Sequence, residues 1–376
     1  MQLRRHLGLD DHPVRIADIF QMLGEVEMDL VDRLGIDVLA VVPLEDRYGI
    51  PHEHHKPWRL FDGSTVLMPG TFDVEVDAQG NWLLHRQADP AGPVMAKMPK
   101  GGYYFDHAGG NDFRDDFVPP PLEQMEREWL APIANRRLDH MARRAAELRP
   151  TNKALLLTDW VDFGPATVGT IGDWLCLLAG QPDYVDRLVR IRIEGQLRRL
   201  EKLYAAGGDN IDLLAVDGQD YGTQRSEMFS PAHFQRFYMP FYRAINGWVH
   251  THTSWKTWKH CCGSIPNLLG MLIESGLDCI NPVQTSAAGM DAATLKQRFG
   301  GDITFWGGGV DTQKTLPFGD AQQVYDEVVQ RLRVFAPGGG YVFNPVHNIQ
   351  AGTPVENIEA AFAAVRDHGA YPIRPG

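Results

Sequence analysis

From residue 122 onward, apolar positions gather into short continuous runs separated by longer amphipathic stretches. The runs are Ala154–Leu157, Ile211–Val216, Trp255–Cys261, Leu277–Asn281, Ile303–Trp306 and Tyr341–Asn344. Short apolar runs bounded by turn residues are the pattern of strands buried on both faces. The stretches between them carry helical spacing. Pro182–Tyr204 is long and amphipathic, and Gly319–Phe335 sets Val324, Val328, Leu332 and Phe335 on one face. Ser230-Pro231 supplies an N-cap and a first-turn proline to a helix bearing Phe234, Phe237, Tyr238 and Phe241, which Pro240 should kink. Thr353-Pro354-Val355-Glu356 reads as a capping box that opens the last helix. Strand alternating with helix predicts a parallel sheet. With Asp37–Val42 as a seventh strand and room for one more, the chain is expected to be an α/β protein of the (β/α)8 TIM-type barrel class. An open doubly wound sheet is the alternative, but no Gly-rich dinucleotide fingerprint follows any of these strands.

The first third breaks the pattern. Val14–Leu34 has helical spacing, and Leu44–Gly110 is rich in His, Pro, Gly and Asp. Thr65–Met68, Phe72–Val76 and Trp82–His85 alternate like strands, with a turn at Asp77–Gly80. We read residues 1–376 as a single barrel domain with an N-terminal helical and β-hairpin excursion, in which 44–120 is a hairpin-rich insertion near the barrel mouth. Pro119-Pro120-Pro121 marks its end.

The 376 residues are 44% hydrophobic and 22% charged, the composition of a soluble enzyme with ample core. A net charge of −12 with no run of Lys or Arg argues against nucleic acid and anionic membrane as partners. No apolar run is long enough to span a bilayer, and Met1–Pro13 lacks the apolar stretch of a secretory signal, so a cytoplasmic protein is expected. The cysteines are Cys176, Cys261, Cys262 and Cys279, a set that suggests thiol or metal chemistry rather than a disulfide framework.

In a barrel, reacting groups sit at the C-terminal ends of strands. Those ends are polar here: Asp217 to Gln224, His260 to Cys262, Asn281 to Gln284, Gly307 to Gln313 and Asn344 to Gln350. His260 and Cys262 are two apart, so a strand sets both on one face. Imidazole plus thiolate favours Zn²⁺, and a catalytic zinc takes three protein ligands with one open position. His347 is the candidate third ligand, with Cys279 and Asp217 as competitors. Cys261 should point away and pack, and Cys176 sits in an apolar run of core character. His52, His54 and His55 form a denser histidine cluster, but in a proline-flanked loop with no strand to fix them. Gly307–Gly309 and Gly338–Gly340 fit tight turns as well as phosphate cradles. Asp217 and Asp220 read either as an acid/base pair or as solvated turn residues.

The segment from Ala215 to the C-terminus resembles the uroporphyrinogen decarboxylase superfamily, and within it the corrinoid-dependent methyltransferase branch. The motifs are Asp217…Tyr221-Gly222-Thr223-Gln224, His260-Cys261-Cys262-Gly263-Ser264-Ile265, Asn281-Pro282-Val283-Gln284, Phe305-Trp306-Gly307-Gly308-Gly309-Val310-Asp311 and Pro345-Val346-His347-Asn348-Ile349-Gln350. The Arg-rich Met-Arg-Gln-Ala-Gly-Arg type of motif of the decarboxylases is absent from the sequence. His-x-Cys-Gly is the methyltransferase zinc signature, and Pro345-Val346-His347 stands where coenzyme M methyltransferases have Pro-Gly-Cys. The resemblance implies a zinc-dependent demethylase that moves a methyl group between a small, O-methyl type substrate and the cobalt of a corrinoid. Zinc would be held by His260, Cys262 and His347, with Asp217, Gln224, Gln284 and Asn344 orienting substrate or ligands. With no Asp-x-His-x-x-Gly segment in the chain, the cobalamin is expected free or on a partner corrinoid protein. The oligomeric state is open, a homodimer among the options. A tetrapyrrole decarboxylase or lyase and a corrinoid-binding scaffold are the alternatives.

Overall fold

A computed structural model of the chain describes residues 1–158 and 164–374. Seven strands form one sheet: β1 (Val38–Val41), β2 (Ala154–Leu157), β3 (Leu213–Asp217), β4 (Lys256–His260), β5 (Cys279–Asn281), β6 (Thr304–Trp306) and β7 (Tyr341–Val342). They lie in sequence order and every pairing is parallel. All seven expected runs are therefore strands, and the open doubly wound alternative, which would reverse strand order partway, does not occur.

The sheet curls. Val38, Leu156, Leu213, Ala215, Trp258, Cys279, Trp306 and Val342 form one apolar cluster, and its members include both edge strands, β1 and β7. Every strand contributes to this shared apolar face, the arrangement of a barrel interior. Among the described residues no eighth strand joins this sheet. The opposite faces of the strands, with Val41, Leu155, Leu214, Val216, Ile280 and Phe305, join the larger core under the outer helices. Those helices include α1 (Pro182–Gly207), α2 (Met239–His252), α3 (Pro266–Glu274), α4 (Ala292–Phe299), α5 (Ala321–Phe335) and α6 (Val355–His368). None among the described residues is long and apolar enough to cross a membrane.

Local expectations met four corrections. Cys176, expected in the core, is exposed on the helix Ile171–Gly180, whose buried face carries Trp174, Leu177 and Leu178 instead. Val14–Leu34 is not one helix: it gives two short antiparallel strands, Ile16–Asp18 and Leu23–Gly24, and a helix over Met28–Leu34. The apolar spacing there arises because Ile16 and Ile19 insert into a separate N-terminal core with Tyr48, Ile50, Met68, Phe72, Trp82 and Phe105. Pro240 does not kink a continuous α-helix. Ser230 caps the start by accepting from the His233 N–H, a π turn spans Phe234–Tyr238, and Pro240 falls in the first turn of α2, where its missing N–H is harmless. The Thr353 capping box does not form: Pro354 is the N-cap of α6, and the Thr353 hydroxyl donates to the Gln350 carbonyl at 2.9 Å.

In the hairpin-rich region, strands at Lys56–Arg59 and Thr65–Met68 pair antiparallel, and Glu75–Val76, Trp82–His85, Val94–Met98 and Asp106–His107 make a second small sheet. His52 sits here with its pKa pushed down to about 4, first by burial and then by the neighbouring His55 and His140. An imidazole that is neutral when folded but protonates near its ordinary value of 6.5 when unfolded makes the unfolded chain bind more protons as pH falls. Its contribution is whole above pH 6.5 and is lost progressively down to about 4. Urea unfolding of His52→Gln across this window should show a shallower loss of stability with acid than the parent chain; an unchanged pH slope would contradict this.

Candidate metal centre

The C-terminal ends of β4 and β7 bring together His260, Cys262 and His347, whose ligand-capable atoms all lie within 4.8 Å of one another. His260 Nε2 is 3.3 Å from Cys262 Sγ, and the two imidazoles meet edge to face at 6.2 Å and 81°. Strand alternation accounts for part of this. Trp258 lies in the inner cluster, so His260, two further on, faces the same way. Beyond the strand, Gly263 at φ +87° turns the chain. A Cβ on Gly263 would come within 2.3 Å of the Gly222 backbone, and one on Gly222 within 2.6 Å of the Ser264 nitrogen. The loops after β3 and β4 therefore touch backbone to backbone, and the Ser264 N–H donates to the Thr223 carbonyl at 2.8 Å.

Asn281, at the end of β5, donates from Nδ2 to the Trp306 carbonyl at 3.0 Å, which leaves its Oδ1 for His260 Nδ1 at 2.9 Å. That oxygen can only accept, so His260 carries its proton on Nδ1 and presents a bare Nε2 towards Cys262. Burial lowers the pKa of His260 and of His347, so both are neutral at neutral pH. Burial, followed by the nearby Asp220 charge, pushes the Cys262 thiol well up. Asp220 accepts the Cys262 N–H at 2.7 Å and stands 3.6 Å from His260 Nε2. Trp258 and Trp306, 6.0 Å apart, lie beneath in the barrel interior. Two neutral imidazoles and a thiol, with one of the imidazoles held from behind, form a donor set suited to a borderline-soft cation.

The other expected residues are placed as follows. Asp217 is buried, and its carboxylate takes the Tyr221 and Tyr242 hydroxyls, the Gln219 N–H and the Lys259 ammonium. A register shift between Ala215 and Asp217 turns this side chain from the interior toward the helix layer. Gln284 is buried, accepts the Gly263 N–H at 2.8 Å and donates to the exposed Gln224 at 3.0 Å, so these two amides brace the glycine contact. Asn344 follows β7 and donates to the Pro345 carbonyl at 2.9 Å. Cys279 packs in the inner cluster with its pKa raised by burial to about 12, and Cys261 is buried on the helix side, likewise raised to about 12. Neither Cys279 nor Asp217 joins the triad, and among the described residues His52, His54 and His55 form no metal-ligating group.

Sequence reasoning gave no role to Asn281 or Lys259 and weighed Asp220 only as a partner of Asp217. Asn281 had a usable signal, as an amide directly preceding a proline at a strand end beside His260. Lys259 had one too, a charge inside an apolar run.

The family model for uroporphyrinogen decarboxylase (URO-D) matches residues 167–368, more than half of the chain, and the chain belongs to this family. The uroporphyrinogen decarboxylase of Anaeromyxobacter dehalogenans (strain 2CP-C) is 42% identical over 55 residues, which is 15% of this chain and 16% of that protein. Among solved structures, a methyltransferase from Methanosarcina mazei is 15% identical with a TM-score of 0.47, covering 98% of each chain. The homocysteine methyltransferase MmuM from Escherichia coli, apo form, is 10% identical with a TM-score of 0.31, covering 66% of this chain and 77% of that one.

Gly263→Ala combines a left-handed backbone with a backbone clash, so it should destabilise the fold by about 1–3 kcal/mol or more in chemical denaturation. A change within about 0.5 kcal/mol would mean that the two loops separate freely.

Proposed function

We propose that this chain is a zinc-dependent methyltransferase, a demethylase that moves a methyl group between a small O-methyl substrate and a corrinoid carried by a separate protein. The observation that carries the reading is the His260–Cys262–His347 set at the strand ends. Its chemistry fits zinc, whose catalytic sites take three N or S ligands and keep one position for substrate. Zinc bound there supplies Lewis-acid polarisation of the methyl-bearing heteroatom, and the corrinoid supplies the methyl acceptor. The chain itself does the rest. Asn281 fixes the tautomer and orientation of His260. Asp220 holds the Cys262 backbone and sets a negative charge beside the two imidazoles. Trp258 and Trp306 give the site an apolar floor. Gln224 and Gln284 brace the loops, and Asn344 remains as an orienting group at the end of β7. In this reading Asp217 positions the β3 loop rather than touching substrate.

A tetrapyrrole decarboxylase needs cations at the mouth for several carboxylates. Lys259 is buried and committed to Asp217, and Lys256 opens β4 at the far end and pairs with Asp278 at 3.6 Å. Beside these two lysines, Arg225 after β3 is exposed, and one such cation is thin for several carboxylates, which favours the methyltransferase reading. Two imidazoles in place of one imidazole and a second thiolate make a less electron-rich, stronger Lewis acid, which suits release of an alkoxide more than activation of a thiol.

Elemental analysis of protein purified without chelator should find about one zinc per chain, and Cys262→Ala and His347→Ala should each lose it. Metal-loaded enzyme should then consume cob(I)alamin in the presence of methyl ethers, followed by absorbance. No metal in the parent protein would overturn the proposal, and zinc retained in His347→Ala would remove that residue from the ligand set.

A further inference from the structure

We propose that Lys259 is a positioning residue for the metal centre, fixing the His260–Cys262 edge against Asp220. The inference rests on the zinc reading above. Lys259 is fully buried, on the helix-facing side of β4 between Thr257 and Cys261. A buried ammonium is tolerated only when paired and fully hydrogen-bonded, and all three of its protons are used here. One goes to Asp217, one to the Gln219 carbonyl at 2.9 Å and one to the His260 carbonyl at 3.1 Å. Its Nζ also sits 4.0 Å from the Tyr221 ring centre.

The two carbonyls give the contact its meaning. Gln219 immediately precedes Asp220, and His260 is itself a ligand of the proposed centre. One ammonium therefore ties the loop after β3 to the end of β4 where Asp220 meets the Cys262 N–H. If the position served only to fill space, an apolar side chain would suit the helix-facing layer better, since a buried ion pair stabilises a fold no more than well-packed apolar groups do. The pair is explained by what it aligns.

The test compares the parent chain with Lys259→Met and with the charge-balanced Asp217→Asn/Lys259→Met. Two quantities are read: the Zn²⁺ dissociation constant, by competition with a chromophoric chelator, and the melting temperature without metal. Lys259→Met should weaken Zn²⁺ binding roughly 10–100-fold, the range seen when a ligand's supporting partner is removed. The double variant leaves no unpaired buried carboxylate, so it should recover melting temperature but not Zn²⁺ affinity, and it carries the test if the single variant fails to fold. Parent-like affinity in either variant would overturn the positioning role while leaving the zinc centre standing. A parent chain that binds no Zn²⁺ would overturn both.

Discussion

Where Gly222 meets Gly263, two backbones pass so closely that neither residue can carry a Cβ. The rest of the site depends on that contact. It brings the loop after β3 onto the turn after β4, and three polar links keep it closed: Gln284 on the Gly263 N–H, Thr223 on the Ser264 N–H and Asp220 on the Cys262 N–H. Backbone donors need partners, and here two donors on the turn are taken by the loop after β3 and the third by the loop after β5. Cys262 is thus located in part by main-chain geometry. Its sulfur faces His260 Nε2 at 3.3 Å.

Neutral donors and one carboxylate meet at this point. His260 and His347 are neutral, the Cys262 thiol is driven toward its protonated form, and the Asp220 carboxylate stands beside them. Each shift follows first from burial. A divalent ion would reverse the logic, since a coordinating thiol is deprotonated outright and neutral imidazoles are the ligand form that binds. The environment that disfavours a bare thiolate is therefore compatible with a metal-bound one.

Much of the fold was legible because parallel strands buried on both faces leave unmistakable apolar runs, and all seven runs were strands. The convergence of His260, Cys262 and His347 was legible because the ends of such strands are where a barrel places its polar groups. Other features were hidden for definite reasons. Strict alternation would set Asp217 with Ala215 on the interior, but the register shift between them turns the carboxylate to the helix layer, and no residue type announces a bulge. Ile16 and Ile19 have helical spacing, yet they serve a second core built from residues far along the chain. Thr353 had the sequence of a cap, but the helix begins one residue later with Pro354 at its N-cap, and the Thr353 hydroxyl donates backwards to the Gln350 carbonyl, a local choice that composition does not decide.

The division between the two faces of β4 is the last step. On the inner face, Trp258 and His260 belong to the barrel interior and its mouth. On the outer face, Lys259 and Cys261 belong to a layer closed by Tyr221, Phe234 and Tyr242. Chemistry and support thus alternate residue by residue along one strand, and the period of two that sets His260 and Cys262 on one side sets Lys259 behind them. The carbonyl of His260 is the point where the two faces meet, because it belongs to a proposed ligand and accepts from the buried ammonium. An ion pair on the hidden side of a strand can in this way hold a proposed metal centre on the open side without touching it.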